Sequence, residues 1–352
     1  MIEMDLLNAT AEELEAILSD LGEKAFRARQ IFQWMHRGVK DFDQMTDLPK
    51  ELREKLKSRY RISSVKIIQK LSSKDGQTTK YLFLLPDDNI IECVAMKYKY
   101  GNTLCLSTQV GCRMGCSFCA STKEGLVRNL KPGEMLAQVL QVNSELASEK
   151  ERAIKNIVLM GSGEPLDNYD NTIKFLRLVN HPLGLHISAR NITLSTCGLV
   201  PGMMKLAHEG LPITLAISLH APNDELRKRI MPVGGAYSIQ QVIEASKYYF
   251  HRTGRRVTFE YALIEEVNDK REHAEELARL LKGFPCHVNV IPVNEIEETD
   301  YKRSSEERIG RFISILSSAG IAVTRRRELG QDIKGACGQL KRGYLKDRNS
   351  SQ

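Results

Sequence analysis

Over residues 9–60 the apolar positions recur at helical spacing. Thr10 and Glu13 form a capping-box pattern ahead of Leu14, Ile17, Leu18 and Leu21. A second helix carries Phe26, Ile31, Phe32 and Met35, and a third runs from Pro49 through Leu52 and Leu56. Three short helices of this kind predict a small bundle, with Trp34 in its core. The period then changes. Residues 65–71, 79–85 and 89–97 read as strands, separated by Lys74-Asp75-Gly76 and Pro86-Asp87-Asp88 turns. They predict a small antiparallel sheet.

From residue 103 strands and helices alternate. Strands are predicted over 104–110, 156–160, 191–196, 213–219, 257–264 and 287–293, with a final one over 321–327. Helical patterns fill 132–148, 170–179, 203–209, 239–253, 269–281 and 304–318. Repeated β-α units imply a parallel sheet with right-handed crossovers. Six such units are fewer than the eight of a closed barrel, so an open, partial (β/α)6 barrel is expected. In such barrels chemistry sits at the strand C-termini, which directs attention to the residues just after each strand. The expected divisions are a helical unit over 1–62, a β extension over 63–102, the barrel over 103–330 and a C-terminal segment over 331–352.

Composition narrows the class. Of 352 residues, 42% are apolar and 27% charged, which excludes disordered, collagen-like and coiled-coil readings. No apolar run approaches the ~18 residues of a membrane span, and residues 1–5 lack the basic start of a signal peptide. A soluble, cytoplasmic protein with no membrane partner is expected. The net charge of +7 is uneven. Residues 22–80 hold 15 Lys/Arg against 7 Asp/Glu, and residues 320–352 hold 8 against 3, leaving an acidic middle. Two basic segments around an acidic centre fit either a polyanion partner or a solvated basic surface. Eight cysteines in a reducing compartment point to metal binding or catalysis rather than a disulfide framework.

The first barrel strand runs into Gly111-Cys112-Arg113-Met114-Gly115-Cys116-Ser117-Phe118-Cys119. Three cysteines spaced C-x3-C-x2-C in a glycine-rich loop can wrap one inorganic cluster. Three ligands on a four-iron cube leave one iron open to a small molecule. Structural zinc is the alternative, but it wants four ligands, and the sequence has no second Cys pair. The loops after the other strands carry Gly163 and Glu164, Ser195, Ser218-Leu219-His220, and Asn294. Each alone is an ordinary loop residue, but together they occupy one rim. The cluster motif resembles that of the radical S-adenosylmethionine (SAM) superfamily.

Two more cysteines sharpen the resemblance. Cys105 lies on the first barrel strand, and Cys337 lies in Ala336-Cys337-Gly338-Gln339-Leu340. With Phe26-Arg27-Ala28-Arg29-Gln30-Ile31-Phe32, Ser218-Leu219-His220-Ala221-Pro222 and Asn289-Val290-Ile291-Pro292-Val293-Asn294, the chain resembles the RlmN/Cfr family of radical SAM adenosine methyltransferases over residues 22–342. Ala120-Ser121-Thr122 and Gly163-Glu164-Pro165 are closer to its RlmN branch.

The resemblance implies one [4Fe–4S] cluster on Cys112, Cys116 and Cys119. It implies SAM on the open iron, held by Gly163, Glu164, Ser195, Ser218, Leu219, His220 and Asn294, and two SAM molecules per turnover. The first SAM methylates Cys337. The second yields a 5′-deoxyadenosyl radical that takes a hydrogen from the S-methyl group. The methylene radical adds to adenine C2, Glu92 accepts the C2 proton, and Cys105 attacks the Cys337 sulfur, giving a transient disulfide. The implied targets are adenosine 2503 of 23S rRNA and adenosine 37 of tRNAs, with an external electron donor such as flavodoxin. The helical unit would bind RNA, and a monomer is expected. Cfr-like methylation at C8, which confers antibiotic resistance, and a non-catalytic iron–sulfur RNA-binding protein are the alternatives. Cys93, Cys197 and Cys286 read as core residues. Ser162 departs from the apolar residue usual between the two glycines, and Lys334 and Gly335 replace the common Asp and Ala.

Overall fold

The computed structural model describes residues 4–146, 153–295, 299–327 and 330–333. Strand β1 (Met4–Asp5) leads into helices α1 (Ala11–Asp20), α2 (Phe26–His36) and α3 (Lys50–Lys57), and β2 (Tyr60–Arg61) returns parallel to β1. The capping box holds: Thr10 Oγ1 accepts from the Glu13 N–H at 3.2 Å, and Glu13 Oε2 accepts from the Thr10 N–H at 2.8 Å. Trp34 is not a core residue. It is half-buried at the edge and donates its indole N–H to Asp47, because that polar group needs an acceptor.

The helical unit shares one continuous hydrophobic core with the rest of the molecule. His36 is buried at the seam, where its Nδ1 accepts from the Leu185 N–H at 3.3 Å. Burial holds its pKa down at about 3, so it acts there as a neutral acceptor.

Strands β3 (Lys66–Ser72), β4 (Thr78–Leu84) and β5 (Ile90–Tyr98) form the antiparallel extension, and β6 (Gly101–Cys105) pairs antiparallel with β5. A short hairpin of β7 (Gln109–Gly111) and β8 (Leu126–Asn129) follows. The barrel then continues as α4 (Pro132–Leu146), β9 (Ile154–Leu159), α5 (Tyr169–Asn180), β10 (Ile192–Thr196), α6 (Val200–Leu206), β11 (Thr214–Ser218), α7 (Asp224–Ile230), α8 (Ile239–Thr253), β12 (Thr258–Leu263), α9 (Arg271–Leu281), β13 (His287–Pro292), α10 (Glu306–Ser318) and β14 (Ala322–Arg325).

One ten-stranded sheet results, in the order β14-β13-β12-β11-β10-β9-β6-β5-β4-β3. It is parallel from β14 to β6 and antiparallel from β6 to β3. The extension is therefore continuous with the barrel, and the expected division at 102/103 falls inside β6. The expected strand over 104–110 divides in two. After Cys105 the chain leaves the main ladder, because the Ser162 carbonyl captures the N–H groups of Thr108 and Gln109 at 2.9 and 3.1 Å. Residues 109–111 then pair with β8, bracketing the cysteine loop with a hairpin of its own. Helix α7, capped by Asn223, was not predicted: its run Asp224–Ile230 is mostly charged, with only Leu226 and Ile230 apolar.

Candidate active site

The C-terminal ends of the parallel strands surround a cavity of about 290 Å³. Cys112, Cys116 and Cys119 form one wall. Gly163, Glu164, Ser195, Ser218, His220 and Asn294 all reach the same cavity from four other strand ends. Leu219 is the exception: its side chain is buried in the main core, because neighbouring residues at a strand end point to opposite faces.

The cysteine loop is fixed by main-chain bonds. Gly111 has φ +77°, and a Cβ there would lie 2.0 Å from the Gly125 carbonyl oxygen. That carbonyl instead accepts from the Cys112 N–H at 2.9 Å. Thr122 Oγ1 donates to the carbonyls of Cys116 and Cys119 at 3.1 and 2.9 Å. Ser117 anchors the loop's middle on the Ile230 carbonyl at the end of α7. Ser162 has a role that its departure from the apolar pattern concealed: its Oγ donates to the Gly111 carbonyl at 3.2 Å, tying the second loop to the first. Gly163, at φ +107°, packs so tightly on Gln109 that a Cβ would sit 2.7 Å from that residue's main-chain nitrogen.

Buried ionisable groups stand behind this wall, each held by main chain. Glu164 accepts from the N–H groups of Cys197 and Leu166 at 2.7 and 3.0 Å, yet burial still raises its pKa. His220 adopts φ +56° and accepts a 2.9 Å bond from the Ala262 N–H on Nδ1. Burial first, and then the nearby Arg227, hold its pKa at about 3. The ring is therefore neutral and carries its proton on Nε2, as a donor.

Sequence reading missed several members of the site. Glu260 lines the cavity from β12, accepts from Asn289 Nδ2 at 2.8 Å, and is raised in pKa by burial. Arg227 of α7 is completely buried and donates to the carbonyls of Cys197 and Tyr237. Cys197 is buried in the core as expected, but it also lines the cavity, and burial pushes its thiol well above the ordinary range. Ser121 Oγ is buried on the cavity wall without a hydrogen-bond partner among the described residues. A signal was available for Cys197, which lies just beyond a strand end; Glu260 lies in mid-strand, on the barrel's inner face.

Cys105 and Glu92 lie one step outward. In register, Cys105 pairs with Val158 of β9 and with Val94 of β5. Val158 pairs with Thr193 of β10, two residues before Ser195, and the same register continues to Ser218 and Glu260, all cavity residues, so Cys105 is on the face that lines the cavity. Val94 in turn pairs with Lys80, and Glu92 is two residues from Val94, so Lys80 and Glu92 share that face. Both are buried, and Lys80 Nζ is 3.2 Å from Glu92 Oε2. Ser107 Oγ donates to the Glu92 carbonyl at 2.7 Å and accepts from the Ser162 N–H at 3.0 Å, linking β5 to both cavity loops. Cys337 lies outside the described residues.

Residues 4–62 match the Ribosomal RNA large subunit methyltransferase N-terminal domain, and residues 106–281 match the Radical SAM superfamily. A probable dual-specificity RNA methyltransferase RlmN of Alkaliphilus oremlandii is 56% identical over 347 residues, covering 99% of this chain and 100% of its own. Its counterpart in Clostridium tetani is 54% identical over 346 residues, with 98% of each chain covered. The chain belongs to the RlmN family of radical SAM RNA methyltransferases. The crystal structure of a radical SAM methyltransferase from Sphaerobacter thermophilus superposes with a TM-score of 0.91 at 47% identity, over 96% of this chain and 98% of that one.

Radical SAM enzymes use a [4Fe–4S] cluster and SAM, and the residues of this RlmN-family site suit both. Burial raises the Cys112 thiol to about 12 and pushes Cys116 up as well. Buried thiols of this kind ionise when a cationic metal centre supplies the compensating charge. Among the described residues no three Cys, His, Asp or Glu side chains converge on a single metal ion. A cluster does not require that, since each thiolate meets a different iron. Glu164 offers a carboxylate to an amino group. His220 and the free Ser121 hydroxyl offer donors.

Proposed function

We propose that this protein is a cytoplasmic adenine-C2 methyltransferase that modifies adenosine 2503 of 23S rRNA and adenosine 37 of tRNAs through an S-methylcysteine on Cys337. The reading is supported most by the position of Cys105, which shares the cavity-lining face with the cysteine loop although the extension begins beside it. Family membership supports the substrate class, since relatives similar over their whole length are RNA methyltransferases of dual specificity.

Cys112, Cys116 and Cys119 would hold the cluster, with Gly163, Glu164, Ser195, Ser218, His220 and Asn294 around the SAM. Leu219 can contribute only its main chain. When bound, the cluster supplies the electron that cleaves SAM to a 5′-deoxyadenosyl radical. Cys337 carries the methyl group, drawn from a first SAM, and presents its carbon to adenine C2. Glu92 receives the C2 proton. Cys105 would lose its thiol proton and attack the Cys337 sulfur. The carbon–sulfur bond breaks with its electron pair on the methylene carbon, which takes a proton to become the methyl group. The one electron borrowed to make the radical is returned as the two cysteines form a disulfide. An external donor such as flavodoxin supplies the electrons that restart the cycle. The basic residues of the helical unit would hold the RNA backbone while one flipped adenine enters the site.

The test is anaerobic reconstitution with iron and sulfide, followed by reaction with an rRNA fragment, SAM and a reducing system. Nuclease digestion and mass spectrometry should give 2-methyladenosine, absent with Cys337→Ala. Finding only 8-methyladenosine would replace C2 with C8 chemistry, and an unmethylated fragment would leave an RNA-binding protein.

A further inference from the structure

The antiparallel half of the sheet holds a buried charge that the proposed reaction leaves unused. Lys80 is 0% exposed and Glu92 only 6%, and their 3.2 Å pair crosses from β4 to β5 on the inner face. The pairing is diagonal, a standard side-chain contact between antiparallel strands. Sheet packing alone does not call for it, since the neighbours Leu82 and Val94 on that face are apolar. A buried ion pair is a weak source of stability, and apolar residues often serve as well. Such a pair beside a reactive cysteine is therefore better explained by chemistry.

The chemistry follows from burial. Burying a carboxylate is costly unless a cation is paired with it, and Lys80 Nζ stands 3.2 Å from Glu92 Oε2. Only the carboxylate form has an electron pair free to take a proton. Among the described residues, the register also puts Tyr98 of β5, Cys105 of β6, Glu260 of β12, His287 of β13 and Arg326 after β14 on this face.

We propose that Lys80 is a positioning residue for methyl transfer: its ammonium holds Glu92 as a carboxylate on the Cys105 face, ready to take the adenine C2 proton. The inference rests on the reading of Glu92 as the proton acceptor. In this step the C2–H bond breaks, its electron pair stays with the purine, and the proton goes to Glu92 Oε. Lys80 remains an ammonium throughout.

Infrared difference spectra of the full-length protein test this without turnover. Subtracting Lys80→Met/Glu92→Gln from Lys80→Met should show the carbonyl band of a protonated Glu92. Subtracting Glu92→Gln from the parent should show only carboxylate bands. With RNA deuterated at C2, Lys80→Met should turn over at least ~10-fold slower, within the range of general-base effects. It should also show a larger isotope effect than the parent, and Lys80→Arg should restore both. If Lys80→Met does not fold, Lys80→Gln takes its place with the same readouts. A Glu92→Gln enzyme as fast as the parent overturns the reading of Glu92 and this inference together. A slow Glu92→Gln enzyme beside a Lys80 variant with parental rate, isotope effect and spectrum overturns the role of Lys80 alone.

Discussion

Around the strand ends of the parallel half buried polar groups rest on main chain, whereas the antiparallel half uses a side-chain ion pair. In the parallel half, Glu164 rests on the N–H groups of Cys197 and Leu166, His220 on that of Ala262, and Arg227 on two carbonyls. In the antiparallel half, Glu92 is held by another side chain, Lys80. Main-chain dipoles cannot reorient unless the fold does, so the strand ends form a preorganised binding site. A carboxylate held by a side-chain cation can take up a substrate proton while the backbone stays still. The contrast assigns rigid recognition to one half and proton chemistry to the other.

The strongest way to break this contrast is to empty the first half. Cys116→Ala should abolish cluster retention and methylation while far-ultraviolet circular dichroism stays unchanged. Iron and sulfide analysis checks the first point, and a retained full complement would remove the loop from the site. Gly111→Ala comes next. It forces a side chain onto a left-handed backbone, which costs of order 1–3 kcal/mol, and onto the Gly125 carbonyl as well. A melting point lower by several degrees and partial iron loss are expected.

The third test uses pH. Burial raises Glu260 in the folded state, so the folded protein binds its proton more tightly than the unfolded chain does. The stability this adds is fully present below the ordinary carboxylate range and is lost as pH rises through the raised folded value. At pH 8 Glu260→Gln should therefore melt above the parent by a few degrees, given ~2–4 °C per kcal/mol for domains of 150–250 residues. The gap should close as pH falls below about 4.3, the ordinary glutamate value. A gap independent of pH would show that Glu260 is not a strained carboxylate. The smallest effect is expected from Ser162→Ala, which loses one hydrogen bond to Gly111, worth ~1 kcal/mol. Thermal melting should drop slightly, and cluster content should stay near normal.

Much of the architecture was legible in the residues. Period-2 and helical spacing located the extension and the barrel helices, and the C-x3-C-x2-C loop fell on the cavity wall. What escaped was set by tertiary contacts. The strand over 104–110 breaks because Ser162, fifty residues downstream, takes its N–H groups. Glu260 drew no attention in mid-strand, since sequence does not say which face of a strand meets a cavity. Lys80 was one basic residue among fifteen in its segment. Only the register of β4, β5 and β6 distinguishes it from a solvated lysine.

The sheet's outer strands carry a last consequence. Among the described residues, β14 pairs only with β13 and β3 only with β4, so the curve never closes on itself. A sealed tube admits cargo only along its axis, and a nucleotide in the middle of a long polymer has no end to thread. An open trough can be loaded from the side, like a groove laid over a rope.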